Sequence, residues 1–227
     1  MSLDSWKRQM ACRATGYRTT WKLRLFAASS LFVLALGSAT HAWWSPTVGW
    51  FLVSDTGMVN TDLILIDNLD TNYLLFEKAR NLKKSGMDAR VVVPVAGAAN
   101  DPEKPNLVSR EIAEVLIRVA GLDAVEIIPI RHIEPITLNA ARQLSDRLEG
   151  SNIKTVLILT SGFKSKRLYL VFQQVLAEIG IDAYCLPVWG AHRPDNWMES
   201  WHGIEEVLMQ SLKLAYYRLW VLKGRDT

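Results

Sequence analysis

Polar and charged side chains follow the predicted strands of this sequence, and the richest group follows the fourth strand. There Thr160, Ser161 and Gly162 run into a helix that opens with Lys164 and Arg167. Two hydroxyls, a glycine that permits close approach to the backbone, and a guanidinium able to hold phosphate or carboxylate through two hydrogen bonds suit an anionic ligand. The alternative is that Thr160 or Ser161 caps the helix and that the cations are solvated.

Further polar side chains follow the first and third predicted strands. In open parallel sheets, ligands bind beyond the carboxyl ends of the strands, where helix N-termini favour anions. We therefore expect the residues after these strands to share one site with the group after the fourth. The predicted ligand-binding residues are Asp67, Asn68, Thr137, Asn139, Thr160, Ser161, Lys164 and Arg167.

Several kinds of chemistry lack their sequence signatures. The chain has neither GxxxxGK[ST] nor GxGxxG after a strand, which disfavours a Walker-type nucleotidase or an ordinary dinucleotide dehydrogenase, so no cofactor is predicted. His132, His192 and His202 do not share a metal-ligand spacing, and no metal site is predicted. Ser161 lacks the GxSxG elbow of hydrolases. No catalytic constellation stands out, and the sequence leaves open whether the protein is an enzyme.

The elements that must position these residues alternate between short apolar strands and amphipathic helices. Continuous apolar strands without alternation are typical of a parallel sheet that is covered on both faces. The sequence predicts a Rossmann-like α/β domain with a doubly wound, mainly parallel five-stranded sheet. The predicted strands are 63–66, 91–95, 125–130, 155–159 and 183–188, and the predicted helices are 73–85, 106–120, 137–148, 163–179 and 198–222.

The charge of the chain is unevenly distributed. Of 26 basic and 23 acidic residues, residues 1–24 contain six basic residues and one acidic residue, so the remainder has a net charge of −2. The main domain therefore lacks the basic surface expected of a nucleic-acid-binding protein. The two cysteines of the chain are Cys12, in the basic leader, and Cys185, in a predicted strand, and a disulfide between them is not expected.

Residues 25–44 form an apolar segment without Asp, Glu, Lys or Arg. Twenty helical residues extend ~30 Å, the thickness of a bilayer's hydrocarbon core. The basic leader, 1–24, would stay in the cytoplasm and Trp43 and Trp44 would mark the far interface. The sequence thus predicts a single-pass inner-membrane anchor, with residues 45–227 as an extracytoplasmic domain. A cleaved signal peptide and a buried core helix remain alternatives.

Several stretches of the chain resemble the YdcF-like family of envelope proteins. WFLVSDTGMVNTDLILID, from Trp50 to Asp67, is similar to the opening of that family, and LLFEKARNLKKSGMDARVVV to its first helix and second strand. SREIAEVLIRVAGLDAVEIIPI resembles its second helix and third strand. ITLNAARQL is similar to its Thr-x-x-Asn-Ala segment, and VLILTSGFKSKRLYLVFQQVLAEIGI to its Val-Thr-Ser…His-x-x-Arg segment. Order and spacing agree over residues 50–190.

The resemblance implies a Rossmann-like domain in the cell envelope, linked to cell-wall or surface-polymer homeostasis, in a family whose activity is largely undefined. It also implies that Asn139, Thr160, Ser161 and Arg167 occupy polar positions of the family's pocket. The chain departs from the family where Asp67 and Asn68 replace the usual glycines, where Lys164 replaces the motif histidine, and where Thr137 stands one place nearer Asn139. These departures place any mechanism that uses the histidine or the glycines in doubt.

Two main functional hypotheses follow. In the first, a membrane-anchored envelope protein binds an anionic small molecule bearing a phosphate or sugar phosphate, in envelope or surface-polysaccharide biology. In the second, the protein is a non-catalytic scaffold with a degenerate pocket, whose aromatic C-terminal helix contacts a membrane-protein partner. The aromatic and aliphatic side chains of that helix, for which packing onto the sheet is the simpler explanation, are Trp197, Trp201, Leu208, Leu212, Tyr216, Tyr217 and Trp220.

Overall fold

The computed structural model describes residues 21–69 and 71–223, which divide into two compact units between Ala42 and Trp43. The predicted basic leader lies outside these residues except for positions 21–24, as does Cys12. The first unit contains helix α1, Trp21–Ala39. Helix α2, His41–Phe51, begins after a break at Thr40 and continues into the second unit.

Helix α1 is apolar around its whole circumference. Its described side chains are exposed or half-buried, and Leu31, Phe32 and Leu34 are each about two-thirds exposed. A core helix is covered on at least one of its faces, and the described side chains of α1 do not form such a face. The predicted segment 25–44 is divided between α1 and α2, since the chain leaves α1 at Thr40, whose Oγ1 donates to the Leu36 carbonyl at 2.7 Å.

No helix within 21–69 and 71–223 is by itself both long enough and apolar enough to cross a membrane. Helices α1 and α2 meet that criterion only when they are taken together, as a pair interrupted at Thr40.

The second unit is an α/β domain with strands and helices in strict alternation. Its strands are β1 Leu63–Ile66, β2 Arg90–Ala96, β3 Val125–Ile130, β4 Thr155–Ser161 and β5 Asp182–Val188. Its crossover helices are α3 Tyr73–Lys84, α4 Leu107–Ala120, α5 Ile136–Leu148 and α6 Ser165–Ala177, and helix α7, Trp201–Tyr216, follows β5. The predicted strands and crossover helices are all confirmed to within a few residues.

All five strands are parallel and lie in the order β3-β2-β1-β4-β5. Successive crossovers change direction after β3, so that β4 returns to pair with β1, with Leu65 opposite Ile158. Helices α3 and α4 cover one face of the sheet and helices α5 and α6 the other. This is the predicted doubly wound arrangement, and it buries β1 completely.

Successive side chains of a strand point to opposite faces of the sheet, and they form two hydrophobic cores, one on each face. Leu63 and Leu65 face α5 and α6, where they pack with Leu144 and Val171. Ile64 and Ile66 point to the other face, where their neighbours come from α3 and α4. Because both sets are apolar, β1 shows no alternation in its sequence although its side chains alternate in space.

The C-terminal segment was predicted as one helix over 198–222, and the structure divides it into three elements. It consists of a 3₁₀ turn at Trp197–Glu199, helix α7, and a π turn at Tyr217–Val221. The chain is extended at Ser200, whose hydroxyl accepts from the Gly203 amide at 3.0 Å and caps α7. Helix α7 therefore begins at Trp201, with Trp197 buried before it.

Candidate functional site

The loops after β1 and β4 meet where the strand order reverses. In doubly wound sheets this reversal opens a crevice at the carboxyl ends of the strands. Here the loop after β1 is joined directly to the end of β4: the Thr160 hydroxyl donates to Asp67 Oδ2 at 2.7 Å, and the Asn72 side-chain amide donates to Ser161 Oγ at 3.3 Å. Thr160 and Asp67 are both buried. Three of the predicted ligand-binding residues, Asp67, Thr160 and Ser161, thus use part of their hydrogen-bonding capacity within the protein.

The start of the helix after β4 is covered by other parts of the chain. Gly162 lies under the ring of Trp189, so its missing side chain admits an aromatic ring rather than a ligand. The Lys166 amide donates to the Leu52 carbonyl at 3.1 Å, and the Ser54 amide donates to Ser165 Oγ at 3.0 Å. Neither the Thr160 nor the Ser161 hydroxyl makes a capping hydrogen bond to this helix. The alternative interpretation, in which one of these hydroxyls caps the helix, is therefore wrong.

A cavity of about 250 Å³ lies between the sheet and helices α5 and α6, and the end of α7 forms part of its wall. Asp67, Thr137, Lys164 and Arg167 line it, which are four of the eight predicted ligand-binding residues. Most of the remaining wall is apolar and buried in the core on this face of the sheet. The apolar residues of the wall include Leu65, Ile128, Ile130, Leu144, Leu168 and Phe172.

Arg167 is the principal charged group in this wall. It is only 8% exposed, and its guanidinium donates to Thr137 Oγ1 and, at 3.3 Å, to Gln210 Oε1. The guanidinium carbon lies 5.5 Å from the centre of the Tyr217 ring, within the range of a cation–π contact. Its Nε is buried and has no acceptor, and within the described ranges no carboxylate forms an ion pair with Arg167.

The ionisable groups around the cavity favour an anion. Three cations line it, Lys164, Arg167 and Lys213, against two carboxylates, Asp67 and Glu134. Arg167 and Asp67 are both buried, whereas Lys213 and Glu134 are exposed. Asp67 already accepts from the Thr160 hydroxyl, and the excess of one cation makes the net formal charge of the lining positive. In a poorly solvated wall, a fixed cation is worth more than it is in water.

The other four predicted residues do not line the cavity. The side-chain amide of Asn139 donates to the Ile133 carbonyl at 2.9 Å, so it holds the loop before α5. Asn68 is buried, and its Oδ1 has no hydrogen-bond partner. The eight predicted residues lie near the carboxyl ends of the strands, whereas the cavity extends under α5 and α6 rather than across the loop after β4. The predicted residues outside it are Asn68, Asn139, Thr160 and Ser161.

Two residues that contact Arg167 come from the C-terminal segment and were not predicted as site residues. They are Gln210, which accepts from the guanidinium, and Tyr217, whose ring lies beside it. The Tyr217 hydroxyl also accepts from the Thr137 amide at 3.0 Å, in the first turn of α5. One signal was available: Gln210 lies on the buried helix face that contains Val207 and Leu214, where a polar residue needs a polar partner.

Cysteine and metal chemistry have no support in the described part of the chain. Burial, together with the nearby charges of Asp67 and Asp55, raises the pKa of the Cys185 thiol far above its ordinary value. Such a thiol is a poor nucleophile, because the reactive species is the thiolate. Within 21–69 and 71–223, no group of three or more His, Cys, Asp or Glu residues has the geometry of a metal site.

The outer face of the C-terminal helix is a second candidate surface. Trp197 and Tyr217 are buried, as the packing explanation predicts, whereas Trp201 and Trp220 are each about two-thirds exposed. Leu208, Leu212 and Tyr216 are exposed as well, so packing onto the sheet explains only part of this apolar set.

Comparisons with family models, with curated proteins and with solved structures find no match to this chain. The resemblance to the YdcF-like family therefore remains a hypothesis that rests on the sequence motifs alone. The fold and the cavity around Arg167 carry the argument about function.

Proposed function

We propose that this protein is a membrane-anchored, YdcF-like protein of the cell envelope, and that its α/β domain binds an anionic small molecule at Arg167. The ligand would bear a phosphate or a sugar phosphate, as the hypothesis of a role in surface-polysaccharide biology requires. The domain would lie on the extracytoplasmic side of the inner membrane. Thr137 and Tyr217 would position the guanidinium, and Lys164 and Lys213 would add to the attraction.

The observation that carries the proposal is the missing partner of Arg167. Burying a charged group costs free energy unless another charge and hydrogen bonds compensate for it. Arg167 has two polar acceptors and an aromatic ring, but its Nε lacks an acceptor and no described carboxylate is paired with it. An anion in the cavity would supply both the charge and the acceptor.

The membrane part of the proposal is supported by helix α1. Its apolar side chains are exposed on all sides, which in water is unfavourable and in a bilayer is not. Its hydrophobic residues follow a leader rich in Lys and Arg, which favours a cytoplasmic N-terminus. Membrane fractionation of the full chain, followed by protease treatment of spheroplasts, tests the location. Degradation of the α/β domain from outside is expected, and full protection would contradict the orientation.

Binding is tested by thermal unfolding of the full chain in nanodiscs with inorganic phosphate, sugar phosphates, sugar nucleotides and nucleotides. A ligand at a hundred times its Kd stabilises the folded state by about 2.7 kcal/mol. For a chain of this size this raises the midpoint by roughly 5–10 °C. Arg167→Met should abolish the shift and itself change the free energy of unfolding by less than about 2 kcal/mol, because it also removes an unpaired buried charge.

Arg142→Met is the matched control, because Arg142 is exposed on the same helix as Thr137 and does not line the cavity. It should keep the full shift. A shift that is the same in Arg167→Met and in the unchanged chain would remove Arg167 from the site.

A scaffold is the second candidate function, and the exposed outer face of α7 favours it. A large exposed apolar surface is a common feature of protein–protein interfaces. Replacing Leu208 and Leu212 with Ser should release a membrane-protein partner from cross-linked membranes if the protein is a scaffold. Under the ligand-binding proposal, the same variant should retain the thermal shift that anions produce.

A further inference from the structure

The cavity beside Arg167 is apolar over most of its surface, and this limits the molecules that can fill it. Leu65 comes from β1, Ile128 from β3, Leu144 from α5, and Leu168 and Phe172 from α6. All five are buried members of one core cluster. Protein cores are close-packed and contain few voids larger than a water molecule, so a gap of about 250 Å³ among such residues is a space suited to an apolar group.

Arg167, Thr137 and Tyr217 form one connected cluster in the wall beside this apolar surface, while Asp67, also buried in the wall, accepts from Thr160. Arg167 donates to Thr137, the Thr137 amide donates to the Tyr217 hydroxyl, and the Tyr217 ring contacts the Arg167 guanidinium. A ligand that satisfies both parts must therefore carry an anionic group at one position and an apolar body next to it. An inorganic phosphate or a bare sugar phosphate would leave the apolar wall unfilled.

The exposed edge of the cavity also combines a positive charge with apolar surface. Lys213 and Tyr216, both exposed on α7, take part in the lining. The ring of Trp220 stacks on that of Tyr216 with centroids 6.4 Å apart, and it is also largely exposed. Aromatic rings beside a cation are typical of surfaces that meet the apolar and charged parts of one molecule.

We infer that the ligand is a single-chain anionic amphiphile, with its carboxylate or phosphate on Arg167 and its hydrocarbon chain along the wall formed by Leu65, Ile128, Leu144 and Phe172. This inference rests on the proposed binding of an anion at Arg167 and specifies the class of that anion. A fatty acid and an alkyl phosphate present the same chemistry to the site, and the two are compared in the experiment.

The experiment measures the Kd of the full chain in zwitterionic nanodiscs for two series of probes. One series contains inorganic phosphate and the alkyl phosphates with 4, 6, 8, 10 and 12 carbons; the other contains the carboxylates of the same lengths. Each added methylene that becomes buried should lower the Kd roughly fourfold until the cavity is full, after which the Kd should level off. The two series are compared at equal chain length. Tighter binding of the carboxylates would identify the ligand as a fatty acid, and tighter binding of the phosphates would identify it as an alkyl phosphate.

Two variants separate the site from simple partitioning into lipid. Arg167→Met should weaken binding of every chain length, while the control Arg142→Met should leave it unchanged. Ala140→Leu, which places a larger side chain in the cavity wall, should weaken binding of the long chains and leave that of the butyl probes nearly the same. The chain-length series with the unchanged protein does not depend on whether Ala140→Leu folds.

The outcomes distinguish this inference from the proposed function. Tightening with chain length, together with weaker binding at every chain length in Arg167→Met, supports both. Binding that depends on Arg167 but is equal for inorganic phosphate and all chains overturns the amphiphile and leaves the anion site standing. Kd values that fall with chain length but are the same in Arg167→Met as in the unchanged protein, or the absence of any binding, overturn both.

Discussion

Gly162 lies directly beneath the indole ring of Trp189, so that a Cβ atom on residue 162 would come within 2.0 Å of the ring's Cζ3. The ring itself is held from two sides: Phe163 meets it edge to face at 5.7 Å and Trp50 at 6.2 Å between centroids. The glycine after β4 thus serves the packing of three aromatic rings. The Trp189 ring therefore covers the start of the helix after β4, which the sequence predicts to be part of an anion site.

Replacing Gly162 with Ala should destabilise the domain by about 1–3 kcal/mol, because the new methyl group must displace a ring that its neighbours hold. Chemical denaturation measures the loss. Gly190→Ala is the control, since a Cβ there would meet only Leu74 at 3.9 Å. In a Trp189→Leu background the cost of Gly162→Ala should largely vanish. An undiminished cost would show that the ring is not its cause.

Tyr217→Phe should lower the free energy of unfolding by about 1 kcal/mol. The hydroxyl of Tyr217 accepts from the Thr137 amide in the first turn of α5, whose N-cap, Pro135, contributes no side-chain hydrogen bond. Its loss leaves a buried N–H without that partner. Tyr216→Phe, at an exposed neighbouring ring, should change stability by less than about 0.5 kcal/mol. Equal effects of the two substitutions would contradict the capping role.

Asp62 should contribute to the free energy of unfolding at neutral pH and lose this contribution when it is protonated at acid pH. Its Oδ2 accepts from the Lys154 amide at 2.8 Å and from the Thr155 amide and hydroxyl at 2.9 Å, which hold the pKa of this carboxyl below its ordinary value. A lowered pKa in the folded state stabilises the protein above the unfolded pKa, and the gain disappears as the pH falls through the folded pKa. The stability difference from Asp62→Asn should therefore be constant near neutral pH and shrink below about pH 4.

Denaturation of both proteins between pH 2.5 and 7 measures that difference. It should be about 0.5–1 kcal/mol at pH 7, small because the carboxylate is exposed. Asp88→Asn, at a fully exposed carboxylate, is the control and should change stability by less than about 0.5 kcal/mol. A difference that grows on acidification would have the wrong sign and would exclude this role for Asp62.

Cys185 should resist thiol reagents in the folded protein. Burial raises the pKa of its thiol, and its Sγ lies 3.7 Å from the Ser165 carbonyl oxygen, inside β5 and against α6. In a Cys12→Ser background, labelling with a chromogenic disulfide at pH 8 should proceed at the rate of global unfolding and become rapid in denaturant. Rapid labelling of the native protein would show that this strand opens locally.

The strands could be predicted because the hydrophobic pattern that indicates them is local in the sequence. Runs such as Leu63–Ile66 and Thr155–Leu159 are too short and too uniformly apolar for anything except a covered strand, and glycines at 86, 121, 150 and 180 follow the helices. Gly121 ends α4 in the left-handed conformation with φ of 66°, which an amino acid with a side chain adopts only at a cost. Alternation of such elements then restricts the topology to a few possibilities.

The C-terminal segment was harder to predict because its apolar residues surround the helix. Val207 and Leu214 face the domain, while Leu208 and Leu212 face outward, and the hydrophobic pattern does not distinguish the two sets. Helix α1 presents the same difficulty, since its break at Thr40 has no proline or glycine at that position. In both places the outcome depends on what lies beside the helix, which the local sequence does not state.

The sequence by itself determined the α/β class, the order of its elements and the edge of the sheet at which polar residues collect, because these follow from periodicity and from the geometry of parallel strands. Only the tertiary structure decided how those residues are used. Thr160 bonds to Asp67, Trp189 covers Gly162, and Arg167 turns into a cavity beside Gln210 and Tyr217, which lie 43 and 50 residues further along the chain. Contacts between distant segments form when the helices dock, and no local pattern contains them.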